Sequence, residues 1–359
     1  MILRTMVFVA GMLVIFFTVG SAVRSVVLPR AVPARLTGWV FALMRSLFVL
    51  RAGPKANYER RDKVMALFAP VSLLTLVVAW EVLVGAGFAA MFWAAGSLGF
   101  SEAFQISGSS LLTLGTSRPH DLFGTTLMFA EAGLGLLLLA LLITFLPSLY
   151  ANFSRRETLV ALLEIRGNAP PSAVEVISRY FRIHGLDRLS SMWQQWEVWF
   201  AEIEETHTSF PALIFFRSPQ SKHSWVTAAG AVLDAAAFRA SSIDAQRDPD
   251  AELCIRAGYV SLRRIAAFFS IPFDENPKPT DPITVSKVEF DETYSRLETE
   301  GVPLKPRDQA WIDFTGWRVN YDRVLVALAT LTMAPPAPWS SDRSLTDWRP
   351  RRLTGLRRR

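Results

Sequence analysis

The sequence has few of the residues on which disulfide frameworks and metal centres depend. Cys254 is the single cysteine in 359 residues, so no intrachain disulfide can form. The four histidines are scattered, and none lies in an HExxH pattern. A GxGxxG dinucleotide-binding signature is also missing. We therefore expect a protein that is not an enzyme and that needs neither a metal nor a cofactor.

Strand-like alternation of apolar and polar residues is scarce, and nearly all the long apolar runs lie in the first 150 residues. The rest of the chain is mixed and charged. This asymmetry predicts an all-α protein with a membrane domain first and a helical soluble domain second. The excess of arginine lies beside apolar runs and at the C-terminus, which suits membrane topology and anionic lipid better than nucleic acid.

Three apolar runs are long enough to cross a bilayer, at ~20 residues per span. They are residues 5–23, Met65–Gly96 and Leu122–Tyr150. A cleaved signal peptide is the alternative for the first run, but only Arg4 precedes it and no Ala-x-Ala site closes it, which favours a retained span. The basic loop at 24–63 should face the cytoplasm, which leaves the N-terminus outside and the C-terminal domain cytoplasmic.

Within that loop, Leu36–Leu50 is apolar but too short to span comfortably, and it includes Trp39 and Arg45. Two alternatives stay open for this stretch. It is either a helix lying in the cytoplasmic interface or a helix packed beneath the bundle.

The stretch Phe104–Pro119, FQISGSSLLTLGTSRP, lies between the second and third apolar runs. A helix over Glu102–Leu112 would measure roughly 16 Å, about half of the ~30 Å hydrocarbon thickness. The chain must then return to the surface from which it came. Non-helical backbone at membrane depth is tolerated only where it is buried in protein or lines a watery path. The pattern therefore predicts a re-entrant pore loop.

The residues after this half-helix resemble the filter of potassium channels of the two-helix pore-loop type, usually Thr-Val-Gly-Tyr-Gly-Asp followed by proline. Thr113, Leu114, Gly115 and Pro119 match that pattern, and the similarity covers about residues 65–150. The resemblance implies a homotetrameric ion channel of a bacterial inner membrane. It also implies potassium or another monovalent cation as the permeant ion.

Three positions depart from the family pattern. Thr116 stands at the aromatic position, Ser117 at the second glycine and Arg118 at the acid. A filter needs alternating backbone hand, and a positive φ is easy only for glycine, so Gly115 supplies one such position and Ser117 does not supply the other. The mouth carries the positive charge of Arg118 unless Glu102 or Asp121 neutralises it. We expect weak or altered selectivity.

A second hypothesis comes from a different class. The chain could be a membrane-anchored sensor or scaffold, with a vestigial, non-conducting pore and a helical domain that binds an unidentified partner or regulator.

Two acidic residues lie inside the predicted spans, Glu81 and Glu131. A charge at the bilayer centre costs at least ~2.5 kcal/mol, so each should face the bundle or a wet cavity, or stay protonated. Glu131 is either a carboxylate that attracts cations and braces the filter, or a neutral acid bonded to a serine behind the loop. Glu81 could pair with Glu131 or with a hydroxyl.

The inner span includes residues that could bend it or close it. Gly133 and Gly135 lower the cost of bending, although packing is an equal alternative use for both. Pro147 removes a helix hydrogen bond near the cytoplasmic end. We predict a gate there, with Phe145 or Leu146 as an apolar constriction and Pro147 setting the splay.

The C-terminal half is predicted to be helical from residue 153 to 334, and its Trp193, Trp196 and Trp199 should be core. The tail at 335–359 is rich in Pro, Ser and Arg, which predicts disorder. The predicted domains are 1–63 with the first span and the basic loop, 64–152 with the pore, then the helical domain and the tail. The predicted helices of the C-terminal helical domain are Ala173–Ile183, Leu189–Glu205, Lys222–Arg239, Pro249–Phe269, Ile283–Glu300 with Asp281 as N-cap, and Pro306–Leu331.

Overall fold

The computed structural model describes residues 1–28, 34–53, 57–96, 99–183 and 185–350. Within these ranges the chain is helical, and no described residue belongs to a β-strand. His184 and the end of the predicted disordered tail, 351–359, lie outside them. The α-helices, in chain order, are α1 Ile2–Val26, α2 Arg35–Ala52, α3 Tyr58–Ala66, α4 Phe68–Ala95, α5 Phe100–Leu111, α6 Leu122–Gly167, α7 Ala173–Arg182, α8 Leu189–Ser209, α9 Trp225–Ser242, α10 Pro249–Phe268, α11 Lys287–Thr299, α12 Arg307–Arg318 and α13 Asp322–Thr332.

Contacts divide the chain into two compact units. The first, called the apolar unit here, comprises Met1–Arg51 and Leu67–Ala151. The second, called the helical unit, comprises Ala52–Ala66 and the described chain from residue 152 onward. Helix α6 is continuous across this division. Helix α3 precedes α4 directly in the chain, but its contacts group it with the helical unit.

Three helical stretches are apolar enough to cross a membrane by length and composition, which are α1, the pair α3–α4 and α6. The run predicted from Met65 is interrupted at Leu67, where α3 ends and α4 begins. Pro70 lies in the first turn of α4, where its missing N–H needs no helical partner. In an unbroken helix the same proline would leave the carbonyl of Ala66 unpaired.

Helices α1 and α4 cross at two glycines. A Cβ atom on Gly11 would lie 2.5 Å from the carbonyl oxygen of Gly87, and one on Gly87 would lie 2.7 Å from the side chain of Ile15. Small residues allow this approach, and such crossings hold apolar helices together where lipid is as apolar as the side chains.

Helix α2 corresponds to the predicted helix at Leu36–Leu50. Phe41 and Phe48 pack edge-on against Phe68 of α4, with ring centroids 6.0 and 5.9 Å apart. Its other face leaves large apolar side chains in the open, and Trp39 is 66% exposed. Both alternatives for this stretch, the interfacial helix and the helix packed beneath the bundle, therefore stay predictions.

The helical unit is built around α9, which is rich in alanine and buried at every residue except Ala240. Alanine is the strongest helix former, and its small side chain lets neighbouring helices approach from all sides. Trp193, Trp196 and Trp199 of α8 are at most 1% exposed, which confirms that they are core residues.

Two helix predictions in this unit were wrong. The start of α11 is set by Ser286 and not by Asp281, because Ser286 and Glu289 form a reciprocal capping box. The helix predicted over Pro306–Leu331 is two helices, α12 and α13, separated by a turn at 319–321. Tyr321 in that turn is fully buried, so tertiary packing turns the chain where sequence periodicity alone would continue the helix.

The predicted disorder of the tail was also wrong over its described part. Trp339 is 7% exposed and packs against Phe314 with ring centroids 5.5 Å apart. Its carbonyl oxygen accepts a hydrogen bond from Arg318. Burial of one large aromatic side chain therefore outweighs the disorder-favouring composition around it.

Candidate functional site

Helix α5 is a short helix that packs between the two long apolar helices α4 and α6. With 12 residues it measures about 18 Å. Ser107 Oγ donates to the carbonyl oxygen of Gly85 in α4 at 2.9 Å, and Ser110 Oγ donates to that of Met128 in α6 at 2.7 Å. Gly85 lies roughly three turns from the end of α4. The serines therefore fix a short helix between two long ones, with its C-terminal end away from their ends.

Glu131 of α6 is fully buried at this junction. Its Oε1 lies 2.5 Å from Ser107 Oγ, the same hydroxyl that contacts Gly85. A hydroxyl has one proton and a carbonyl can only accept, so both contacts are satisfied together only when Glu131 itself carries a proton. The geometry is that of a neutral acid bonded to a serine, with Ser107 as a hydrogen-bond partner. Glu81 is half-buried and has no hydrogen bond to Glu131 within the described residues.

The sign of the backbone φ angle alternates along the loop after α5. Thr113 has φ +55° and Gly115 has φ +68°, whereas Leu114, Thr116 and Ser117 have no positive φ. Gly115 therefore supplies a left-handed position as predicted, and Ser117 supplies none. The left-handed backbone at Thr113 was not expected, because such a φ is uncommon for a residue other than glycine.

Ser109 holds this loop in place. Its carbonyl oxygen accepts from Leu114 N at 2.8 Å, and its Oγ accepts from Ser117 N at 3.1 Å. Thr116 Oγ1 lies 3.2 Å from the same Oγ. One residue near the end of α5 thus ties the loop to its own helix.

The outer surface of the loop is open in the single chain. Leu112 and Leu114 are each 62% exposed. Arg118 is exposed and makes no ion pair among the described residues, so neither expected acid neutralises it. Asp121 instead accepts from Gly124 N at 2.9 Å, in the first turn of α6.

The predicted gate residues do not lie in one environment. Phe145 is 8% exposed and buried in its own chain, whereas Leu146 is 37% exposed. A Cβ on Gly135 would lie 2.7 Å from the carbonyl oxygen of Leu111, so Gly135 is a packing residue against α5, whereas one on Gly133 would meet nothing within 4 Å. Pro147 lies inside α6, which continues past it.

A buried ionic cluster in the helical unit was not predicted from the sequence. Arg318 is fully buried, pairs with Asp234 of α9, and donates from Nε to Asp322 Oδ1 at 2.9 Å. Although burial opposes it, the two carboxylates raise the pKa of Arg318. Tyr321 also donates to Asp234, at 2.8 Å. The i,i+4 spacing of Arg318 and Asp322 was a readable signal for one pair, but the partner 84 positions away was not.

A second buried cluster surrounds His207 of α8. Its Nδ1 donates to the carbonyl oxygen of Ile203 at 2.8 Å, which leaves Nε2 to accept from Arg156 Nη1 at 3.2 Å. Burial, and then the charge of Arg156, hold the pKa of His207 well below its usual range. His207 is therefore a neutral structural side chain. Among the described residues, no group of three or more His, Cys, Asp or Glu could hold a metal ion.

Fold and site together define an all-helical chain with three helices apolar enough to cross a membrane, and with a short, serine-fixed helix and an ordered loop between the last two. Comparison with protein-family models, curated proteins and solved structures finds no match. Assignment of a function therefore rests on the geometry of α5 and its loop.

Proposed function

We propose that this chain is a potassium-channel-like ion channel of a bacterial inner membrane, which conducts monovalent cations through a homotetrameric pore. The observation that carries this proposal is the loop at 112–118. It follows a half-length helix, alternates in backbone hand at Thr113 and Gly115, and is exposed along its outer surface. Alternating hand turns successive carbonyl oxygens toward the same side, as a filter of carbonyl rings requires.

The depth of α5 supports a re-entrant path. Its C-terminal end is bonded roughly three turns inside α4, so in a bilayer the loop would start near the middle and return to the surface that α5 entered. Protonated Glu131 is compatible with that depth, because a neutral carboxyl bonded to Ser107 avoids the cost of a buried charge.

Assembly into a tetramer is supported by the apolar surface that a single chain leaves exposed. Only 22% of the most apolar window of α1 and of α6 is buried within the chain. A single chain also supplies only one wall of a conducting path, and closed rotational symmetry completes it. Mass-resolved light scattering in detergent should give four copies per particle. A monodisperse monomer would contradict the pore.

Selectivity should be weak. The two left-handed positions lie at 113 and 115 and not at 117, and no aromatic side chain stands at 116 to brace the filter from behind. The inner coordination rings can form, but the outer ones lack their backbone. Reversal potentials measured with potassium on one side and sodium on the other should therefore show little preference. A strongly potassium-selective current would contradict this prediction.

The decisive experiment is ion flux through the purified chain in liposomes. Gly115→Ala places a Cβ on a backbone with φ +68°, which costs about 1–2 kcal/mol and distorts the loop. We expect it to abolish the leak. Gly20→Ala is the matched control, because a Cβ there would meet nothing within 4 Å. Equal leak in both variants would show that the loop is not the path.

Exposed Arg118 favours the second hypothesis, a membrane-anchored sensor or scaffold with a non-conducting pore. Four unneutralised arginines at the mouth of a tetramer would repel cations. Arg118→Glu separates the two hypotheses in the same flux assay. A leak that increases in the variant supports a channel limited by its mouth. Absence of leak in both proteins, together with a stable soluble partner, supports the scaffold.

A further inference from the structure

The buried guanidinium of Arg156 is bonded to the end of a short 3-10 helix, Pro211–Phe215. Its Nη1 donates to the carbonyl oxygen of Leu213 at 2.9 Å, and its Nη2 donates to that of Phe216 at 2.8 Å. Its Nε donates to Glu157 Oε1 at 2.9 Å. The carbonyl oxygen of Leu213 also accepts from Phe216 N at 3.0 Å, so Arg156 adds a charged donor to this helix end.

Arg217 repeats this pattern directly after the same 3-10 helix. Its Nη1 donates to Asp62 Oδ1 in α3 at 2.6 Å and to Tyr58 Oη at 3.1 Å. Its Nη2 donates to the carbonyl oxygens of Thr332 and Met333, at the end of α13, at 3.0 and 3.1 Å. Each of the two arginines therefore joins one acidic residue to two carbonyls at a helix end.

The two arginines engage chain segments that lead into and out of the apolar helices. Only Leu67 separates the end of α3 from the start of α4, and Arg156 follows the apolar part of α6. The segment Pro211–Arg217, called the anchor segment here, receives the bonds of Arg156 and extends its own arginine to Asp62. A further bond joins it to the core, since Trp225 Nε1 of α9 donates to the carbonyl oxygen of Ile214 at 3.3 Å.

We infer that the anchor segment couples the start of α4 to the end of the apolar part of α6, with Arg156 and Arg217 as positioning residues. The inference rests on the proposed function for its consequence, because it assigns the regulation of the pore to a movement of this one segment. A buried guanidinium that loses a partner is left uncompensated at high cost. The bonds of Arg156 and those of Arg217 should therefore form and break together. Helix α3 and the adjoining part of α6 should then open together.

The coupling can be measured without ion conduction. Hydrogen exchange of the full chain in detergent is compared for wild type, Arg217→Met and Arg264→Met. Methionine keeps an unbranched apolar stem and removes the donors. Arg264 is the matched control, since its Nη1 lies 2.7 Å from Glu204 Oε1 but its side chain is 64% exposed.

We expect Arg217→Met to speed exchange about tenfold in α3 and also in residues 152–160, where no bond of Arg217 is removed. Arg264→Met should change neither region. A rise confined to α3 would overturn the coupling, because it would show two independent attachments. Should Arg217→Met fail to fold, Asp62→Asn removes only the charge of the partner and must give the same two-region pattern.

Flux in liposomes then separates this inference from the proposed function. If wild type conducts, Arg217→Met should change its open fraction severalfold while Arg264→Met does not. Unchanged flux despite two-region exchange would overturn the regulatory inference and leave the channel intact. If wild type never conducts, the proposed function and the regulatory role fail together, whereas the exchange result still decides whether the anchor couples the helices.

Discussion

The apolar unit and the helical unit differ in how much of their helices the chain itself buries. In α9 every residue but Ala240 is buried by the chain itself, whereas the most apolar window of α1 is only 22% buried. Composition accounts for part of this contrast, since α1 is apolar enough to cross a membrane and α9 is not. The difference is that α9 has neighbours on all sides from its own chain, and α1 relies on what surrounds the chain.

The two units also differ in the partners that their buried ionisable groups have. In the helical unit, buried charges are met by other charges, as Arg318 is by Asp234 and Asp322. In the apolar unit, the buried acid Glu131 is met by a hydroxyl and is neutral in that geometry. A self-contained core can hold an ionised network, whereas a charge among apolar helices without a charged partner is costly.

The largest expected effect is loss of the charge network in the helical unit. Asp234→Ala leaves Arg318 fully buried with one of its two carboxylates, which should cost about 3–5 kcal/mol. Hydrogen exchange of α9 measures this as a lower free energy of opening, and exchange of α1 should stay unchanged. Asp308→Ala is the control, because its pair with Lys287 is exposed, and exposed ion pairs contribute little to stability. An equal effect in α1 would show that the units are not independent.

A second comparison places one charge on an exposed apolar position of each unit. Leu13 of α1 is 46% exposed and Val198 of α8 is 60% exposed. If α1 faces lipid, Leu13→Arg should cost at least about 2.5 kcal/mol in a membrane-insertion assay, whereas Val198→Arg should leave folding unchanged. Normal insertion of Leu13→Arg would show that this face of α1 lies against water or protein.

The crossing of α1 and α4 tests how much the apolar unit depends on its own contacts. Gly11→Ala places a Cβ 2.5 Å from the carbonyl oxygen of Gly87, and overpacking of this kind costs about 1–3 kcal/mol. The melting temperature in detergent should fall. Gly20→Ala, on the same helix with open space around it, should not lower it. If both variants melt as wild type does, the surrounding lipid or detergent and not the crossing holds α1.

The smallest effect is a pH dependence that belongs to the helical unit. Because the pKa of His207 is lowered in the folded state, the unfolded chain binds the additional proton once the pH falls below about 6.5. Stability is therefore complete above that pH and falls below it, by up to about 1.4 kcal/mol per pH unit. His207→Gln should flatten the decrease of the melting temperature between pH 7.5 and 5.5. His120→Gln, at an exposed position, should leave it as in wild type.

Local patterns in the sequence were sufficient for the elements that hydrophobicity dominates. The three apolar stretches, the short helix between the last two and the buried tryptophans of α8 all follow from the run length or spacing of apolar residues. These features depend on the cost of exposing apolar surface, and that cost is visible one residue at a time. The left-handed position at Gly115 also belongs here, because glycine alone adopts it freely.

Tertiary structure decided the features that need two distant segments. The left-handed Thr113 lies next to Leu114, whose N–H is bonded to Ser109. The described tail is ordered because Trp339 packs against Phe314. Phe145 and Leu146 are adjacent and similar in hydrophobicity, yet one is buried and the other is half-exposed. Arg156 and Arg217 are ordinary basic residues until the fold brings helix-end carbonyls and acidic residues to within 3.1 Å of them. A hydrogen bond depends on the position of both partners, and a linear pattern specifies only one of them.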